Sequence, residues 1–141
     1  MRSTTDHGNS APGNHSRAVG CSAMLSNVKD LLRHEFDAEE GSFLLQLRFD
    51  LLWDRRAFSQ LEQAMRRVCA QREPHEQLDR WLAEGCWYLS DFVPGHISHP
   101  DFPREEPAEY YTAAVRRLWD LQNWFVTGRS PYLASYQWPD I

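Results

Sequence analysis

The chain has 141 residues, 42% of them hydrophobic and 25% charged, with a formal net charge of -5. That length suits one soluble domain, and no stretch approaches the roughly 18 apolar residues of a membrane helix. A membrane span, a collagen, a long coiled coil and a chain disordered throughout fall away, and a strongly basic nucleic-acid binder is disfavoured.

Residues 1–23 are small and polar and are broken by Gly and Pro. Such a segment cannot offset its ordering entropy, so a disordered tail is expected there, with residues 24–141 as a single helical domain. No apolar run follows Arg2, so no secretory leader is expected. Cys21, Cys69 and Cys86 are odd in number. That argues against a disulfide framework and for a reducing, cytoplasmic setting.

Leu25, Val28, Leu31 and Leu32 follow helical spacing, with Ser26 or Asn27 near the cap. The acidic run Glu35, Asp37, Glu39 and Glu40 then leads to Gly41. Residues 43–49 alternate Phe43, Leu45, Leu47 and Phe49 with Leu44, Gln46 and Arg48, which is strand spacing. A break near Trp53 and Asp54 keeps both Asp50 and Asp54 out of an apolar stripe. Asp54 is the expected cap of a helix running to about Arg72, with Phe58, Leu61, Ala64, Met65 and Val68 inward.

Residues 76–93 read as the strongest helix, through Leu78, Trp81, Leu82, Cys86, Leu89, Phe92 and Val93. Pro94 and Gly95 are its expected stop. A proline-rich loop over 94–106 follows. Pro107 opens a further helix to Thr127, with Gly128 as the residue just past its end. Its stripe is Tyr111, Ala114, Val115, Leu118, Leu121 and Phe125. The aromatic tail 130–141 is expected to fold back over the body. The expected fold is mainly α, a bundle of about four helices. A strand at 43–49 is an alternative element, with 132–138 as its candidate partner.

Three tryptophans fall off the apolar stripes. Trp87 lies opposite Leu82 and Leu89, while Trp119 and Trp124 flank Leu118 on its two sides. The bland reading covers them with the tail or a neighbouring helix. The sharper reading makes Trp87, Trp119 and Trp124 a partner-binding surface, since Trp dominates binding hot spots. The acidic residues Glu35, Asp37, Glu39 and Glu40 would steer a basic protein partner, or else form a solvated loop.

His96, His99 and Asp101 form the one metal-like cluster, able in principle to hold Zn²⁺ with an open position. They sit in a proline-rich loop rather than on a helix face, and His99 before Pro100 serves equally as a turn residue. Cys69 and Cys86 lie on stripes that should be buried, where thiols are inert. No nucleophile elbow, phosphate loop or dinucleotide motif is present. The doublets Arg55-Arg56, Arg66-Arg67 and Arg116-Arg117 are interrupted by acids, which disfavours nucleic acid as a partner.

The segments Trp81 to Ser90, Ser98 to Pro103, Tyr110-Tyr111, Leu118 to Leu121 and Trp124 to Tyr132 carry a resemblance. Over residues 53–133 the chain resembles small helical bacterial proteins of the toxin-immunity type. The resemblance implies a non-catalytic protein that acts by binding another and needs no cofactor. It transfers no site residue. The leading expectation is a protein-binding module, an immunity-type inhibitor or accessory subunit. The alternatives are a metal-dependent enzyme or metal-binding protein centred on residues 96–101, and a homo-oligomer whose aromatic patch is its own interface.

Overall fold

The computed structural model describes residues 15–73 and 76–141, with side chains from Ser26 onward. Helix α1 spans His15–Phe36 and buries Val28, Leu32 and Glu35 along one stripe. It begins well before the cap expected at Ser26 or Asn27, so residues 15–23 of the expected disordered tail are helical. Residues 1–14 of that tail lie outside the described residues. The helix ends on Ala38, which is left-handed at φ 50°. Ala38 N–H bonds the Glu35 carbonyl and Glu39 N–H bonds the His34 carbonyl, both at 3.1 Å. This is a Schellman closure, and it satisfies carbonyls the helix would otherwise orphan.

Residues 43–49 are helical, not a strand. A single turn, α2 (Phe43–Leu45), runs into a π-helical segment, Gln46–Asp50. Two caps explain this. Ser42 Oγ accepts the Leu45 N–H, and the Glu35 carboxylate accepts the Phe43 N–H at 2.9 and 3.2 Å. With its first donors satisfied, the turn closes locally and needs no ladder partner. Phe43, Leu44 and Leu47 are buried, which is helical spacing, and Phe49 is 69% exposed. The proposed partner segment 132–138 forms no strand either, and no strand occurs among the described residues.

Helix α3 (Arg55–Gln71) starts where its sequence requires. Asp54 Oδ1 accepts the N–H groups of Arg56 and Ala57 at 2.9 and 3.1 Å. Ala57, Phe58, Leu61, Ala64, Met65 and Val68 form its inner face. Helix α4 spans Arg80–Ile97, so both expected boundaries shift toward the C-terminus. Pro94 lies inside it rather than ending it. Helix α5 (Ala108–Thr127) follows Pro107 and closes on Gly128 at φ 72°, whose N–H bonds the Trp124 carbonyl at 2.8 Å. Only a residue at ease in the left-handed region suits that position.

Helices α4 and α5 pack together, α1 packs on α3, and α3 joins the two pairs through α5. The core holds Leu32, Phe43, Phe58, Leu61, Met65, Leu89, Leu118, Leu121 and Phe125, all within 2% exposure. Gly85 of α4 is packed directly against the Phe36 ring, with no room for a Cβ. A charged pair crosses the interior: Arg117 on α5 bonds Glu62 on α3 at 2.5 Å, both almost fully buried. The tail folds back as expected. Trp138 stacks on Trp124 at 6.1 Å, the Arg117 and Arg66 guanidiniums lie over the Trp138 ring, and Ile141 is buried. No described helix is long and apolar enough to cross a membrane.

Candidate functional site

Pro94 has no N–H, so the carbonyl of Ser90 four residues earlier loses its helical donor. The Trp119 indole fills that vacancy from α5: Nε1–H donates to the Ser90 carbonyl at 3.0 Å. The helix can therefore pass through its proline to Ile97. This bond joins α4 to α5 and holds the Trp119 ring by its edge. The ring is nonetheless 53% exposed.

Trp119 lines a cleft of about 490 Å³ between the end of α4 and the start of α5. Pro94, Ile97, Tyr111 and Val115 supply apolar walls, and Arg104 and Arg116 also line it. Arg104 is fixed by a 2.8 Å bond to the Ile97 carbonyl. Trp87, 57% exposed, lies on the same side of α4. At about 100° per residue, Trp87, Ser90 and Pro94 fall within about 60° of one another. Trp87 and Trp119 thus belong to one flank of the α4/α5 pair.

The other expected contact residues lie elsewhere. Trp124 is about 140° around α5 from Trp119, and it stacks on Trp138 of the tail. It is a packing residue rather than a free surface. Glu35 is 6% exposed and caps α2. Desolvation raises its pKa above the ordinary carboxylate value, against the opposing hydrogen bonds from the Phe43 and Leu44 backbone. It cannot act as a surface charge. Asp37, Glu39 and Glu40 are exposed, and Glu39 meets His34 at 2.9 Å. They follow Phe36, which packs on Gly85, and Gly85 is about 200° around α4 from Trp87. The acidic loop and the Trp87 flank therefore lie on different sides of α4.

His96, His99 and Asp101 line one cleft of about 540 Å³, joined by Asp91, Phe92, Phe102 and Leu51. They share the cleft without gathering at a point. His99 and Asp101 are exposed, with Nδ1 3.8 Å from the carboxylate, and His99 Nδ1 accepts the Asp101 N–H at 3.2 Å. His96 stacks on Phe92 at 4.9 Å, and its Nε2 is buried with no hydrogen-bond partner. Among the described residues, no three His, Cys, Asp or Glu side chains are placed to hold a metal ion. The rest of the cleft carries no signal in the sequence. Leu51 comes from the far end of the π segment, and the spacing of Phe92 points only to a buried face.

Burial pushes both described cysteine thiols, Cys69 and Cys86, up to about 12. Neither is set to act as a nucleophile near neutral pH. No family model, curated protein or solved structure matches the chain. The resemblance over residues 53–133 rests on its sequence segments alone.

Proposed function

We propose that this protein is a small binding protein, an immunity-type inhibitor or accessory subunit, that engages another protein through the Trp87 and Trp119 flank. The observation that carries the reading is the state of Trp119: half exposed, yet held at Nε1 by the Ser90 carbonyl. An exposed aromatic ring held in advance loses little entropy on binding, which is how hot-spot anchors work. The adjoining cleft offers an apolar seat between Tyr111, Val115 and Ile97. Arg104 and Arg116 also line it, Arg116 lying 3.6 Å from Asp120, and they favour a partner that brings an apolar side chain together with a carboxylate. The acidic run behind the expectation of a basic partner, Asp37, Glu39 and Glu40, lies on another side of the molecule, whereas the exposed acids within about 60° of Trp87 on α4 are Glu84 and Asp91. The acidic loop could steer such a partner without forming the contact.

The test is affinity capture on the full chain from the organism that encodes it. Trp87→Ala and Trp119→Phe are compared with Leu133→Ala, a change at a residue 81% exposed in the tail. The reading expects one stoichiometric protein held by the parent and Leu133→Ala but lost from Trp87→Ala. Equal capture by all forms would overturn it. A light-scattering mass twice that of one chain, falling to one chain in Trp87→Ala, would instead assign the flank to self-association.

A further inference from the structure

The cleft around Phe92 is centred on a different face of α4 from Trp87 and has a different chemistry, with Asp91, about 40° from Trp87, at the boundary between the two. On the helical wheel Phe92 is about 140° from Trp87. Its walls are aromatic and apolar. Tyr88 and Phe92 stack at 5.1 Å, Phe92 and His96 at 4.9 Å, and Phe102 meets His96 edge-on at 6.3 Å. Leu51 also lines it, in a left-handed conformation, φ 54°. A non-glycine residue is held there only when its surroundings fix it, and π-helical turns such as the one it ends recur at functional sites. The volume, about 540 Å³, lies in the range of small-molecule sites.

The charges at the rim have one sign apart from the histidines. Asp91 and Asp101 are exposed and line the cleft, and no lysine or arginine does so among the described residues. Asp91 makes no ion pair among the described residues, and the partner of Asp101 there is His99 at 3.8 Å. Tyr88 and His96 stack on the two faces of Phe92, so its ring turns an edge to the cleft, while the rim carboxylates attract a cation and repel an anion.

From this geometry we infer that the cleft binds a small organic cation, its apolar body against Phe92, Phe102 and Leu51 and its charge facing Asp91 and Asp101. An aromatic ammonium is the class that fits: its ring can lie against the edge of Phe92 and the Leu51 side chain, an edge-to-face contact, while its charge faces the carboxylates. His96 supports the Phe92 ring from below. Its buried Nε2 makes it a wall of the site rather than a contact for the ligand's charge.

Gly95 provides a clean blocking variant. It lines the cleft, and a Cβ built there meets nothing within 4 Å. Gly95→Leu should keep the fold and fill the opening. The experiment titrates full-length, isotope-labelled protein with benzyltrimethylammonium and, separately, with phenylacetate, following backbone amide shifts. The inference expects the cation to shift Phe92, Gly95 and Phe102 and to bind at least about tenfold more tightly than phenylacetate, the ratio that roughly one ion-pair-sized difference supplies. Asp91→Asn should weaken the cation and leave phenylacetate no weaker. Gly95→Leu, with an unchanged melting temperature, should abolish the Phe92 and Phe102 shifts. No shift at the cleft in the parent, equal binding of the anion, or undiminished binding to folded Gly95→Leu would each overturn the assignment.

Discussion

Trp119 on α5 donates its indole N–H to the carbonyl of Ser90 on α4, at 3.0 Å, and Ser90 stands four residues before Pro94. The proline removes a helical donor and the tryptophan replaces it. The helix continues through a residue that normally ends one, and an exposed aromatic ring acquires a fixed orientation. The same bond therefore accounts for a fold boundary and for the proposed binding face.

Gly85→Ala should be among the most damaging small changes. The added Cβ meets the Phe36 ring head-on, and overpacking of this kind costs about 1–3 kcal/mol. Phe36→Leu in the same chain should recover much of the loss. Chemical denaturation of the two single variants and the double variant checks this. A Gly85→Ala protein as stable as the parent would contradict the packing of α1 on α4.

The Glu62–Arg117 pair should respond very differently to single and double replacement. Removing Arg117 alone leaves a buried carboxylate, with an expected loss of about 3–5 kcal/mol. Arg117→Met should also loosen the tail, because the guanidinium lies over Trp138 and reaches the Pro139 carbonyl at 3.4 Å. Replacing both residues with apolar ones of similar size should cost much less than Arg117→Met. A double variant as unstable as the sum of the singles would show that the pair is not coupled.

Glu35 sets a pH dependence whose sign follows from burial. Its folded pKa lies above the ordinary carboxylate value, chiefly through desolvation. Between the unfolded and folded values, the folded chain holds more protons than the unfolded one, so this residue's contribution to stability falls as pH rises through that window. Glu35→Gln lacks this titration. Its stability relative to the parent should therefore improve from about pH 4 to about pH 7, as read from melting temperatures at both. A relative stability that worsens over that interval would contradict the burial of an ionising carboxyl.

The two buried cysteines should be nearly silent. With thiols pushed up to about 12, the thiolate fraction at pH 8 is on the order of one part in ten thousand. In a Cys21→Ser chain, a thiol-specific disulfide reagent should label nothing at pH 8 until denaturant is added. Rapid labelling of the native protein would place at least one thiol at the surface.

Much of the fold is legible in the sequence because its signals are local. Asp54 caps α3 with its own side chain, and Gly128 closes α5 by its own conformational freedom. The misreadings come from contacts that cross between elements. Pro94 reads as a stop until Trp119 arrives from another helix to take the Ser90 carbonyl. Residues 43–49 alternate like a strand, but the Glu35 carboxylate, from the end of α1, supplies the cap that makes them helical. The binding surface shows the same division. Helical spacing places Trp119 and Trp124 equally off the stripe of α5, and only the path of the tail decides that Trp138 covers one and leaves the other exposed. His96, His99 and Asp101 share a cleft because they are close in sequence, whereas Leu51 joins them through the packing of the π segment.

The most direct test of the Pro94–Trp119 device is a double-mutant cycle on urea unfolding, with Trp119→Phe, Pro94→Ala and both together. Trp119→Phe alone keeps an aromatic ring and strips the Ser90 carbonyl of its donor, for an expected loss of about 1–2 kcal/mol. In the Pro94→Ala chain the residue 94 N–H can take over, so the same change should cost about 1 kcal/mol less. Additivity to within about 0.3 kcal/mol would contradict the device, and with it the origin of a fixed, exposed tryptophan on this face.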